Sequence, residues 1–175
     1  MLRLIPPPAH RAAFRIAHRL RLQWWRIRRP RLAGCRVLAF DAEGRLLLVR
    51  HSYGSGKWMP PGGGLSRGED AIAAAARELM EETQCRLESA VLLALSSEQV
   101  GSASNEVHIV CGHTADTPYP DCREVIEARF FDVQALPEHM PNLFRERLPG
   151  WIIAARAGHR PGEDAPPSSL PAPTE

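Results

Sequence analysis

From Pro61 to Cys85 the chain reads PGGGLSRGEDAIAAAARELMEETQC. The stretch joins three successive glycines, Gly62, Gly63 and Gly64, to an alanine-rich run whose propensity predicts a helix over residues 69–83. Glu78, Glu81 and Glu82 stand at i, i+3 and i+4, so on a helix their carboxylates share one stripe. Three like charges in a last turn repel one another and oppose the negative end of the helix dipole. A solvated acidic face is the ordinary explanation of such a run. The economical alternative is a cation held among the carboxylates, and hard oxygen donors suit Mg²⁺ or Mn²⁺ rather than zinc. Arg77, beside the acids, is placed to pair with one carboxylate and fix its rotamer. The glycines let backbone approach a phosphate or a metal with no side chain between.

Counting outward from this stretch, Gly63 is followed after five residues by Glu69, and after seven more by Arg77-Glu78-Leu79, then Met80, Glu81, Glu82, Thr83, Gln84 and Cys85. In this order and spacing the chain resembles the Nudix hydrolase family, whose signature is G-x5-E-x7-R-E-U-x-E-E-x-G-U with U a bulky aliphatic residue. Two positions depart from it. Gln84 stands where the family has a second glycine, and Cys85 replaces a larger aliphatic. The glycine position would fall just past the helix end, where a left-handed residue is common. The departure therefore bears on helix termination and leaves every acidic position intact.

The resemblance implies a role for each matched residue. Glu78, Glu81 and Glu82 correspond to metal-binding glutamates, with Glu78 and Glu82 the catalytic pair, and the carbonyl of Gly62 to a further ligand. Glu69 and Arg77 correspond to an ion pair bracing loop and helix. The general base is a glutamate of this stretch or one from a later segment. The later candidates are Glu98, Glu106, Glu124 and Glu127, of which Glu127 is favoured and is included among the expected metal ligands. The implied reaction is metal-dependent hydrolysis of a phosphoanhydride in a nucleoside diphosphate derivative. Divalent metal neutralises the phosphates and acidifies a bound water, and a carboxylate takes the proton. The alternative is a catalytically silent Nudix-fold module that binds nucleotide or protein.

Substrate recognition must come from outside the signature. His51, Tyr53, Lys57 and Trp58 precede the glycines. Of these, Tyr53 and Trp58 are placed to stack on a base and Lys57 to meet a phosphate; aromatics here also serve simply as packing. Subfamily markers are absent. Val100 and Gly101 stand where the ADP-ribose group often carries a proline, and no tyrosine precedes Tyr119 where the dinucleoside polyphosphate group often has one. A nucleoside triphosphate or a small nucleotide conjugate is the expected substrate.

The rest of the chain sets the frame. With 175 residues and 44% hydrophobic composition, one domain with a real core is expected. No apolar run approaches the ~18 residues of a membrane span, and no signal peptide is evident. Cys35, Cys85, Cys111 and Cys122 form no C-x-x-C pair, which argues against a zinc or redox motif and for a cytoplasmic protein with reduced thiols.

Residues 1–31 hold nine arginines and no acid, while the remainder carries 13 basic and 20 acidic side chains, a net of −7. Within this arm residues 9–28 read as an amphipathic helix, with Ala13, Ile16, Ala17, Leu20, Trp24 and Ile27 on one face. Its stripe is expected to pack on the domain or on a second subunit of a homodimer. Contact with an anionic membrane is the alternative, and no nucleic-acid partner is expected.

Strands are expected over 34–40, 45–51, 91–95, 107–111 and 125–131, and helical pieces over 142–148 and 151–157 broken by Pro149-Gly150. The outcome is an α/β domain of the α+β type, a Nudix-like mixed sheet sandwiched between helices. Its expected bounds are 32–157, with a Pro-rich, disordered tail over 158–175.

Overall fold

The computed structural model describes residues 32–100, 103–122 and 124–158. The basic arm over 1–31 and the tail after Gly158 lie outside the described residues. The elements run β1 (Leu32–Phe40), β2 (Leu46–His51), β3 (Trp58–Met59), α1 (Ala71–Thr83), β4 (Glu88–Val100), β5 (Ala103–His113), β6 (Val125–Phe131) and α2 (Asn142–Arg156).

Strand β1 is the organising element. It pairs in parallel with β5 along its whole length and meets β2 antiparallel at Phe40↔Leu46. The sheet order is β3-β2-β1-β5-β4, with β6 antiparallel to β2. Residues of β1 alternate between two cores, as strand geometry requires. Cys35, Val37 and Ala39 face a cluster completed by Ala74, Ala75 and Leu79 of α1. Leu38 and Phe40 face another completed by Phe144, Leu148 and Ile152 of α2. A mixed six-stranded sheet thus lies between two helices, as the sequence leads one to expect.

Helix α1 starts two residues later than propensity suggests, because Asp70 caps it. The Asp70 carboxylate accepts from Ile72 N at 2.9 Å and Ala73 N at 3.1 Å. It ends at Gln84, which is left-handed at φ 59° and donates its backbone N–H to Met80 O. Cys85 is fully buried beneath the helix, where a larger aliphatic would also have to fit.

Three differences from the sequence reading have physical causes. Strands β4 and β5 run well beyond the expected 91–95 and 107–111, through pairs such as Ser97↔Glu106 and Val100↔Ala103. Ladder hydrogen bonds do not depend on side-chain hydropathy, and the extension is silent in the pattern. The two-residue strand β3 is too short to carry any period. Helix α2 passes through Pro149 unbroken. Phe144 and Leu148 before the proline and Ile152 after it are all buried on the sheet, while Pro149 itself is exposed. Burying three large side chains, at roughly 1.5–3 kcal/mol each, outweighs the ~3 kcal/mol cost of an internal proline.

The left-handed Gln84 yields a test. An L-residue there costs about 1–2 kcal/mol that glycine avoids. Gln84→Gly is expected to raise unfolding free energy by about 1 kcal/mol in urea titration and to leave activity near parental. A loss of stability would show that the glutamine side chain contributes more than its backbone costs.

Candidate active site

The loop 61–64 is sewn to β1 by backbone. Val37 N donates to Pro61 O at 2.8 Å, Cys35 N to Gly63 O at 2.9 Å and Leu65 N to Ala33 O at 3.0 Å. This close approach is what the glycines are for. Gly62 has φ +143°, and a Cβ on it would lie 2.2 Å from Cys35 O. A Cβ on Gly63 would lie 2.5 Å from the Glu78 carboxyl group. The loop therefore holds its shape only with glycine at 62, and makes room for Glu78 only with glycine at 63.

Two of the three stripe glutamates reach back to this loop. Glu82 is buried, its Oε2 accepts from Gly62 N at 3.1 Å, and its Oε1 lies 2.9 Å from His51 Nε2. Glu78 packs on Gly63 and accepts from Arg77 NH1 at 2.7 Å. Burial pushes the Glu78 carboxyl above its ordinary pKa, partly offset by Arg77 and reinforced by the charges of Glu82 and Glu81. Glu81 is largely exposed and stands 3.5 Å from Arg77 NH1.

Arg77 is the hub. Its Nε and NH2 fork onto Glu69 at 2.8 and 3.0 Å, and NH2 also donates to Gly64 O at 3.2 Å. Glu69 accepts in addition from Ser66 N at 2.8 Å. The guanidinium and then the Ser66 amide hold the Glu69 carboxyl at about 2, well below the usual carboxylate range. Helix, loop and acidic stripe are thus tied through one side chain.

The structure therefore brings Gly62, Glu69, Arg77, Glu78, Glu81 and Glu82 together. It adds His51, to which the sequence reading gave no role beyond its place ahead of the glycines, and Arg36, which the sequence reading missed. Arg36 NH1 donates to Gly62 O at 3.3 Å, and its guanidinium carbon lies 5.4 Å from the Phe144 ring centre. A lone arginine inside the apolar run Gly34 to Phe40, on the face of Leu38 and Phe40, was the available signal.

Glu127 is not brought to this cluster. It lies on β6 across from Arg50, with Arg50 NH2 at 2.5 Å and Arg129 NH2 at 3.8 Å. Strand alternation explains this, because Ala128 and Phe130 take the α1 face and leave Glu127 on the other. Trp58 belongs to that other face too, edge-on to Phe131 at 4.9 Å, with Arg50 and Arg129 each 5.9 Å from its ring centre. Tyr53 donates its hydroxyl to Glu124 and stands 5.1 Å from the His51 ring. Lys57 is half-buried.

As donors, Glu78, Glu81, Glu82 and the Gly62 carbonyl form an all-oxygen set fit for a hard divalent cation. Among the described residues, no three of the His, Cys, Asp and Glu side chains stand close enough to hold one as they lie. The reason is visible in the contacts: each carboxylate is drawn to Arg77, His51 or a backbone N–H. Rotation of Glu81 and Glu78 away from Arg77 is what loading would require.

The Glu69–Arg77 fork gives a pH test. A carboxyl whose pKa is depressed in the fold adds stability above its unfolded value, and that stability is lost as pH falls toward about 2. The raised Glu78 acts in the same sense once Arg77 is gone, since its unpaired charge is relieved by acid. Arg77→Met is expected to melt several degrees below the parent at neutral pH, with the gap closing as pH falls through the acid range. A gap constant across pH, in melts followed by circular dichroism, would show that Arg77 acts by packing alone.

No curated protein matches the chain. The family model described as NUDIX domain matches residues 30–151. Among solved structures, a MutT NUDIX hydrolase from Burkholderia pseudomallei is similar at TM-score 0.62 and 24% identity, covering 69% of this chain and 97% of that one. A MutT protein from Methanosarcina mazei Go1 is similar at TM-score 0.63 and 20% identity, covering 74% and 96%. A UDP-X diphosphatase is similar at TM-score 0.62 and 22% identity, covering 75% and 65%. These likenesses concern the fold, and the family match spans most of the chain together with the glycine loop and acidic helix: the chain belongs to the NUDIX family.

Proposed function

We propose that the protein hydrolyses a phosphoanhydride bond in a nucleoside diphosphate derivative, with Mg²⁺ or Mn²⁺ held by Glu78, Glu81, Glu82 and the Gly62 carbonyl. The observation that carries this reading is the anchoring of Glu82 and Glu78 on consecutive glycines of one rigid loop, Gly62 and Gly63. Both side chains thereby converge on the loop that carries the Gly62 carbonyl, and these oxygens would meet a hard cation once the carboxylates turn from Arg77. When bound, the cation would neutralise the phosphates and acidify a water.

The chain's own groups divide the remaining work. Glu82 is preset, since His51 and Gly62 N–H fix both of its oxygens. Glu78, set against Gly63 of the same loop, is assigned to take the proton of the attacking water at a carboxylate oxygen. Arg77 and Glu69 hold the loop against the helix while charge shifts. Glu127, engaged by Arg50, is left out of the base assignment.

The substrate class favoured is a nucleoside triphosphate or a small nucleotide conjugate. It is supported by the names of the similar structures, one a UDP-X diphosphatase and two of MutT type. Tyr53, beside the His51 that contacts Glu82, is the better stacking candidate; Lys57 is assigned to phosphate. Trp58 packs edge-on against Phe131 and is left out of the stacking assignment. A cytoplasmic setting is consistent with four free thiols, and no helix among the described residues is long and apolar enough to cross a membrane.

One observation favours a second reading, a nucleotide- or protein-binding module without turnover: each stripe carboxylate is already engaged by Arg77, His51 or a backbone N–H. A substrate panel with Mg²⁺, scored by product, separates the two. Glu82→Gln is expected to cut turnover by about 100-fold or more, because it removes a charge at the centre of the donor set. Glu127→Gln should stay within a few-fold of parental. Equal losses in both variants would return Glu127 to the machinery, and parental turnover in Glu82→Gln would dismiss the cation site.

A further inference from the structure

We infer that His51 is a positioning residue: its imidazole holds the Glu82 carboxylate on the Gly62 amide, so that Glu82 is the fixed acid of the site and Glu78 and Glu81 are the movable ones. The inference deepens the function proposed above, and its consequence for turnover rests on that reading.

The stripe glutamates are held in two different ways. Glu78 and Glu81 both lean on Arg77 NH1, at 2.7 and 3.5 Å, and the same guanidinium also serves Glu69 and the carbonyl of Gly64. Their hold is shared, and Glu81 is largely exposed. Glu82 is buried, and each of its oxygens has its own partner. Oε2 accepts from Gly62 N at 3.1 Å, and Oε1 stands 2.9 Å from His51 Nε2. A carboxylate accepts at both oxygens, so Nε2 is the donor, and each oxygen keeps a second lone pair. Glu82 can therefore meet a further group without leaving either partner. One contact alone would let the carboxylate swing about Gly62 N–H, and the second fixes its plane. Without the imidazole donor a buried oxygen is left unsatisfied, which is unfavourable. The side chain then turns, and the Gly62 amide loses its acceptor.

The imidazole is itself held from behind. His51 ends β2, where the β2–β6 register shifts between Arg50 and His51. Arg50 turns to Glu127 on the α2 side, and His51 turns to the α1 side, where Glu82 is. Just beyond, Ser52 N donates to Glu124 O at 2.8 Å, and the Tyr53 hydroxyl donates to the Glu124 carboxylate. The Tyr53 ring lies 5.1 Å from the His51 ring, tilted by 45°. The end of β2 is thus tied to the residue that precedes β6, and a buried imidazole backed by an aromatic ring has little freedom. That rigidity passes to Glu82 through one donor at one distance. Glutamine can set an amide nitrogen where Nε2 stands, whereas asparagine, one methylene shorter, reaches only the place of Nδ1. The two substitutions therefore separate reach from polarity.

The test is amide hydrogen exchange by NMR in the full chain, without metal or nucleotide. In His51→Asn, Gly62 N–H is expected to exchange about tenfold faster than in the parent, while Cys35 N–H and Val37 N–H, which hold the same loop through Gly63 O and Pro61 O, stay as they are. His51→Gln should bring Gly62 back toward the parent's rate. His51→Ser serves if the asparagine variant does not fold. On the nucleotide that the parent hydrolyses in the Mg²⁺ panel, His51→Asn should lose about tenfold in kcat with KM within a few-fold, and His51→Gln should recover most of that loss. An unchanged Gly62 rate, equal rates in the two variants, or a rise shared by Cys35 and Val37 overturns the positioning role. So does a raised KM at parental kcat, which would put His51 on the substrate. Parental turnover in Glu82→Gln sinks the proposed function and leaves the exchange pattern to decide this inference. Loss in Glu82→Gln beside parental turnover in His51→Asn sinks this inference alone.

Discussion

The guanidinium of Arg77 touches Glu69, Glu78, Glu81 and the carbonyl of Gly64 at once. Without it, three glutamates in the last turns of a helix would repel one another against an unfavourable dipole. With it, the helix can carry a charge density that an ordinary surface helix avoids. The bidentate contact to Glu69 matters as much as the charge, because lysine could neutralise the stripe but could not fork onto Glu69 and reach Gly64 with the same planar group. The acidic stripe is thereby given a fixed position relative to the loop.

The second constraint is backbone proximity. The sheet delivers β1 to the loop so closely that Gly62 has no room for a Cβ, and Gly63 has room only at the cost of Glu78. Both helices serve this junction from opposite faces. Helix α1 brings the carboxylates, and α2 brings Phe144 under Arg36. The core clusters on the two faces of β1 are what keep these parts in register. Stability and chemistry meet at Cys35-Arg36-Val37, where one strand packs two cores and anchors the loop.

Much of this was legible in the residues. The glycines, Glu69, Arg77 and the glutamate stripe sit within 23 residues, so the resemblance to the Nudix signature is a local one, and it also marks the helix end at Gln84. What was not legible depends on partners far apart in the chain. Arg36 and Gly62 are 26 residues apart, and His51 and Glu82 are 31 apart. Glu127 was misplaced for a related reason: its side-chain face is set by its register with β2, which periodicity over seven residues does not reveal. Helix α2 shows the opposite failure, in which a strong local signal, Pro149, is overridden by burial on both sides of it.

The central claim is that Arg77 and the glycine loop gather glutamates which, on turning from Arg77, would hold a divalent cation at the start of β1 and the end of α1. The most direct test is anomalous diffraction at the manganese edge from crystals soaked in Mn²⁺. The account predicts a peak within coordination distance of the Gly62 carbonyl and of at least two of Glu78, Glu81 and Glu82, with the Glu81 side chain turned away from Arg77. A peak beside Glu127 and Arg50, or none near Gly62 at saturating Mn²⁺, would contradict it.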